Sequence, residues 1–318
     1  MQADLVLEGG GVKGIGTVGA VLGLLERGYA FPRIAGTSVG AMVAALTAAG
    51  ADAGQIRGAM GRLDLSRMPD RMPPRLPLIS EGLALITRNG AYEGDYVRDW
   101  MRRELQALGV TTFGDLRRES DGDDGNLHGD QRYKLVVLAT DITHGRLLRL
   151  PWDYHLFHRE PDEQSVADAV LMSMSIPLYF EPQRLTDPAT GDASVIVDGA
   201  VLSNFAVEIF DRTDGRQPRW PTFGVRILPD LPAGIGQVFP ALGLPLPPPF
   251  ELLKKVVVTA FVGNDQTHLN LPEVRNRTIA IDTAEVGITE FDVDPDTVQT
   301  LVHHGRDAVD DFLTNRHE

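Results

Sequence analysis

The chain predicts an α/β fold with a mostly parallel sheet, and three observations carry that prediction. The apolar run Leu5-Val6-Leu7 passes into the glycine turn Gly9-Gly10-Gly11-Val12-Lys13-Gly14 and then into a helix-patterned run. A second pair, Ile34-Ala35, passes into Gly36-Thr37-Ser38-Val39-Gly40 and another small-residue, helix-compatible run. Further apolar stretches at 134–140, 194–197 and 223–228 alternate with helical patterns. Two strand–turn–helix units in forty residues open both turns at the same end of a parallel sheet, where such folds place their chemistry.

Taken in order, residues 4–8 read as a buried strand. Residues 14–28 read as a helix with Ile15, Val18, Leu22 and Leu25 near one face, stopped by Gly28. The helix over 39–50 is alanine-rich, which lets it lie close to the sheet, and a short helix follows over 52–62. Residues 67–78 hold four prolines and three arginines, a composition that blocks helix and central strand. Residues 96–108 form an amphipathic helix with Val97, Trp100, Met101, Leu105 and Leu108 inward, and 119–132 form a polar loop. A strand at 134–140 is followed by another beginning near Gly145. Ser165-Val166-Ala167-Asp168 opens a helix that Pro177 ends. The strand at 194–197 leads into Asp198-Gly199-Ala200. After the strand at 223–228 comes a proline-rich stretch, an apolar helix over 250–262, and a last helix opened by Asp294-Pro295 with Val298, Leu301, Val302, Val309 and Phe312 on one face. No repeat and no linker between two complete cores is visible, so residues 1–318 are expected to form one domain.

Composition narrows the chemistry. There is no cysteine, which excludes disulfides, thiolate catalysis and cysteine-ligated metals. A net charge of −14 disfavours nonspecific attraction to nucleic acid or to anionic lipid surfaces, and does not exclude a lipid substrate. No apolar run approaches the roughly 18 residues needed to span a bilayer, and the first residues lack a signal peptide's pattern. The default expectation is a cytoplasmic protein. Oligomeric state is not legible.

Gly36-Thr37-Ser38-Val39-Gly40 fits the Gly-x-Ser-x-Gly nucleophile elbow, since small residues two before and two after the serine suit a tight strand-to-helix turn. The same five residues also fit an ordinary helix start capped by Ser38 or Thr37. The loop Gly9 to Gly14 fits Gly-x-Gly-x-x-Gly, but the second strand ends without the carboxylate that a dinucleotide site wants. Lys13 precedes the last glycine, so a P-loop fails too. An oxyanion hole fits better, because bare glycine N–H groups can converge on one oxygen beside a helix N-terminus. Lys13 either adds positive potential there or is solvated. None of the eight histidines sits on a strand-end loop with a matching glycine turn. Asp198 ends an apolar strand, so its carboxylate should emerge at the same sheet edge as Ser38 and could take the serine proton; alternatively Asp198-Gly199 is only a turn.

Together these pieces resemble the patatin-like phospholipase family. Gly9-Gly10-Gly11-Val12-Lys13-Gly14 matches its oxyanion loop, Gly36-Thr37-Ser38-Val39-Gly40 its elbow, and Asp198-Gly199-Ala200 its catalytic-aspartate turn. The segment from Met172 to Pro182 and the strand end Thr140-Asp141 with Gly145-Arg146 look similar to other family segments. The resemblance covers roughly residues 4–210. It implies a three-layer α/β/α patatin-like fold and a Ser38–Asp198 dyad that works without histidine, metal or cofactor. It further implies a lipid ester substrate of phospholipase A or lysophospholipase type, met at a membrane or micelle interface by a cytoplasmic or peripherally attached protein. Asp141 is expected to be structural.

Two other readings stay open. One is an α/β-hydrolase esterase with a histidine triad, for which His268 or His303 would serve. The other is a lipid- or nucleotide-binding module of the same fold without turnover. The proline-rich segments 67–78 and 231–250 are either lids at a membrane-facing lip or surface packed on the core.

Overall fold

The computed structural model describes residues 1–68, 70, 90–119, 131–228, 248–263, 271–283 and 294–315. In chain order the main elements begin with β1 (Asp4–Leu7), α1 (Ile15–Glu26), β2 (Ile34–Thr37), α2 (Val39–Ala48) and α3 (Ala53–Arg62). Next come β3 (Gly90–Tyr92), α4 (Asp95–Ala107), β4 (Leu135–Asp141), β5 (Arg146–Leu150) and α5 (Val166–Met174). They are followed by β6 (Leu178–Phe180), β7 (Gln183–Thr186), β8 (Ala193–Asp198) and β9 (Thr222–Leu228). The last are α6 (Pro248–Gly263), α7 (Pro272–Arg275), β10 (Thr278–Asp282) and α8 (Pro295–Asn315). The sequence pattern anticipates the long elements within a residue or two. It misses β3, β6, β7 and β10, which are three to five residues long and lack the glycine turns that mark the equally short β1 and β2.

The main sheet runs β10-β9-β1-β2-β4-β8-β7, with β5 also paired to β4. The five strands from β10 to β4 are mutually parallel, whereas β5 and β8 lie antiparallel to β4. Strands β1, β2 and β4 are buried along their whole length and read as near-continuous apolar runs, as a parallel sheet covered on both faces requires. β3 and β6 form a separate parallel pair.

The register shows how the faces are covered. Gly36 and Phe223 share a face through their alignment with β1. On that face Gly36 abuts the Gly40 carbonyl of α2, and Phe223 meets Phe312 of α8 edge-on at 5.2 Å. Gly224 points the other way and is covered by Phe205 and Val207, from the stretch that follows β8.

A close helix contact joins α1 to α8. On α1, Gly19 lies against the backbone of Val302, and on α8 Gly305 lies against Gly16 and Ala20. Any side chain at Gly19 or Gly305 would hold the helices apart and lift α8 from the sheet.

Of the two proline-rich segments, Arg67 ends a 3₁₀ turn, and Asp70 accepts from the backbone N–H groups of Gly94 and Tyr96. Residues 248–250 begin α6. Met68 is buried, whereas residues 69, 71–78 and 231–247 of these segments, and residues 120–130 of the polar loop, lie outside the described residues.

Candidate active site

Ser38 sits in the single-residue turn between β2 and α2 with φ 53° and ψ −127°. That is the left-handed half of backbone space, which a non-glycine residue occupies only when its surroundings impose it. The imposition is visible. A Cβ on Gly40 would stand 2.5 Å from both the Leu7 and Glu8 carbonyl oxygens, and one on Gly36 would stand 2.5 Å from the Gly40 carbonyl. The flanking glycines therefore let β1, β2 and α2 close around the turn. Ser38 makes no side-chain capping bond, so the helix-cap alternative does not describe it.

A buried hydroxyl holds the turn from behind. The Ser38 N–H donates to Ser173 Oγ at 2.8 Å, and Ser173 Oγ donates to the Leu138 carbonyl at 2.5 Å. Ser173 comes from α5, so α5, β4 and the elbow are tied through one side chain. The run Met172-Ser173-Met174-Ser175 carries no local signal that marks this serine's task.

Asp198 reaches the turn by a route the sequence does not disclose. Its strand, β8, is antiparallel to β4 and pairs with Ala139 to Asp141, while β2 pairs with Leu135 to Leu138. β5 occupies the opposite edge of β4 across Val137 to Asp141. β2 and β8 therefore share one edge of β4 and end facing each other, which delivers Asp198 to Ser38.

The Asp198 side chain is fully buried, and that burial pushes its pKa up to about 7. The Ala200 N–H and the Ser38 hydroxyl face the carboxylate as hydrogen-bond donors and pull the value partway back. Oδ1 accepts from Ala200 N–H at 2.9 Å, while Oδ2 is buried with no hydrogen-bond partner among the described residues. Gly199, against the Leu138 carbonyl, opens a 3₁₀ turn in place of a hairpin.

The glycine loop closes the third side. Gly9 lies directly against Ser38: an added Cβ would stand 2.8 Å from Ser38 Cβ. Gly11 has φ 54° and opens a 3₁₀ turn, Gly11–Gly14, that runs into α1. Gly14 abuts Val39 of α2, which locks the loop to the elbow helix. The N–H of Gly9, expected among the oxyanion donors, is instead committed to Asn204 Oδ1 at 3.1 Å. Among the described residues the N–H groups of Gly10 and Gly11 have no hydrogen-bond acceptor. Val12 is buried and Lys13 half-buried within the 3₁₀ turn.

The described histidines stand elsewhere. His155 bonds the Trp152 carbonyl, His158 pairs with Asp187, and His303 and His304 are exposed on α8. His268 lies outside the described residues. His144 meets both Asp141 and Ser194, but through the same ring nitrogen, Nδ1. A triad needs the two nitrogens to serve different partners. Asp141 is fully buried and also accepts from Arg146 and from the Thr143 and His144 N–H groups, as a structural turn carboxylate does.

Comparison with known proteins agrees with this architecture. The chain is 39% identical over 231 residues to the uncharacterized protein YqhO of Bacillus subtilis (strain 168), covering 72% of each chain. Its fold is similar to VipD from Legionella pneumophila, with a TM-score of 0.54 at 20% identity over 99% of this chain and 67% of that one. It is also similar to the ExoU–SpcU complex of the type III secretion system of Pseudomonas aeruginosa, with a TM-score of 0.51 at 20% identity; 99% of this chain matches 52% of the other. A sequence profile described as Patatin-like phospholipase matches residues 5–211, and the chain belongs to that family.

Proposed function

We propose that the protein is a lipid acyl hydrolase of phospholipase A or lysophospholipase type that works through Ser38 and Asp198. One observation carries this reading: a serine held at positive φ faces a buried carboxylate whose Oδ2 has no hydrogen-bond partner among the described residues. Membership of a phospholipase family supports the lipid ester as substrate.

In the first step Ser38 Oγ attacks the acyl carbonyl carbon while its proton passes to Asp198 Oδ2. A carboxylate poised near pH 7 accepts that proton far better than one with an ordinary pKa near ~4. The N–H groups of Gly10 and Gly11 receive the developing oxyanion, and such donors are typically worth a factor of ~10² or more in rate. Collapse expels the alcohol, which takes the proton from Asp198 and leaves the acyl group on Ser38. Water then gives a proton to Asp198 and attacks the acyl-enzyme, and Ser38 leaves with that proton. No histidine, metal or cofactor enters these steps.

No described helix is long and apolar enough to cross a membrane. In this reading the lipid ester is met at a membrane or micelle interface by a cytoplasmic or peripherally attached protein. Hydrolysis of a nitrophenyl acyl ester tests the reading. Turnover that survives both Ser38→Ala and Asp198→Ala would refute it.

A further inference from the structure

Three consecutive glycines leave a loop with little conformational preference of its own. Donors that stabilise a transition state must nevertheless be aimed before the reaction begins. Something outside the loop has to hold it, and one side chain does so at two points. Asn204 Oδ1 accepts from Gly9 N–H at 3.1 Å, and Asn204 Nδ2 donates to the Gly9 carbonyl at 2.9 Å.

We propose that Asn204 is the positioning residue of the oxyanion donors: by gripping both polar groups of Gly9 it fixes the direction of the Gly10 N–H. The reason is peptide planarity. The Gly9 carbonyl and the Gly10 N–H belong to one planar trans unit and point in opposite directions. Anchoring the carbonyl on Asn204 Nδ2 therefore turns the Gly10 N–H away from Asn204 and prevents the peptide from flipping. The same bond polarises that amide and strengthens its N–H as a donor. Asn204 touches no reacting atom in this scheme; it acts through Gly9.

Its place in the chain adds a second role. Asn204 lies six residues beyond Asp198, and the turn between them is closed by the Leu202 and Ser203 N–H groups on the Gly199 carbonyl. A single short stretch thus carries both the carboxylate and the clamp. The base and the oxyanion donors are set relative to each other through the Gly9–Asn204 contact, which bridges 195 positions of the sequence.

This inference rests on the hydrolase reading, and the experiment separates the two. Wild type, Asn204→Ala, Asn204→Asp and Phe205→Leu are compared on a nitrophenyl ester, with Ser38→Ala as the blank. Asp keeps an acceptor for Gly9 N–H but loses the donor to the Gly9 carbonyl, whereas Phe205→Leu disturbs the adjacent packing against Gly224 without touching the clamp. Both Asn204 variants should lose about 10²-fold in kcat with KM within about threefold, the loss expected when an oxyanion donor goes astray. Phe205→Leu should stay within about threefold of wild type in kcat. Hydrogen–deuterium exchange of the peptide spanning residues 4–14 should speed up in Asn204→Ala and Asn204→Asp and not in Phe205→Leu, whether or not the protein turns over ester. The proposal is overturned if both Asn204 variants keep wild-type kcat, if Phe205→Leu matches their loss, or if loop exchange is unchanged. Absence of wild-type turnover above Ser38→Ala overturns the hydrolase reading instead, and the exchange experiment then still decides the clamp.

Discussion

Thr37 and Asp198 stand opposite adjacent residues of β4, Leu138 and Ala139, on the same edge of that strand. Two strands running in opposite directions thus stop face to face. Ser38, the residue after Thr37, leaves the sheet at the point where the Asp198 carboxylate arrives. The chain segments that carry Ser38 and Asp198, 160 residues apart, are thus aligned to adjacent positions of β4. Precision of this kind is what a proton transfer between two side chains needs.

The pKa of Asp198 sets the first prediction. Only the ionised carboxylate can accept the serine proton, so kcat/KM should rise with pH as one ionisation with its midpoint at about 7. A pH–rate profile on a neutral ester checks this; a flat profile between pH 5 and 9 would count against Asp198 as the base.

The same burial has a cost in stability. The folded-state pKa lies above the ordinary value of 3.8, so the stabilising contribution is complete below about pH 4 and is lost as pH rises through about 7. Asp198→Asn cannot ionise and keeps an acceptor for Ala200 N–H. It should be inactive yet melt higher than wild type at pH 8, with the gap closing toward pH 4. A gap of the same size at both pH values would contradict the linkage.

Ser173→Ala removes the acceptor for the Ser38 N–H and the donor to the Leu138 carbonyl. Leaving a buried N–H unpaired costs roughly 1–3 kcal/mol. Thermal melting should fall accordingly, and Ser38 labelling by a fluorophosphonate should slow. Wild-type labelling kinetics in this variant would show that the elbow holds its shape without α5.

Two glycine substitutions should move in opposite directions. Gly40→Ala forces a Cβ against two backbone carbonyls that cannot yield, and should abolish soluble expression or lower the melting point severely. Gly61→Ala places its Cβ in open space within α3 and should stabilise by up to about 1 kcal/mol through helix propensity. Melting curves of the pair test whether steric room, and not glycine content, explains the elbow.

Much of this protein was legible without coordinates. Local pattern determined the two strand–turn–helix units, the long helices, and the elbow and glycine-loop motifs, because hydrophobic period and turn chemistry act over a few residues. It also singled out Asp198 at a strand end near Ser38. Tertiary structure alone decided that β8 runs antiparallel and meets β2 end to end, that Gly9 spends its N–H on Asn204, and that Ser173 stands behind Ser38. Each of these is a bond between residues 135 to 195 positions apart or a choice of strand partner. Such pairings are settled by the packing of the whole chain, so no stretch of sequence carries their signal.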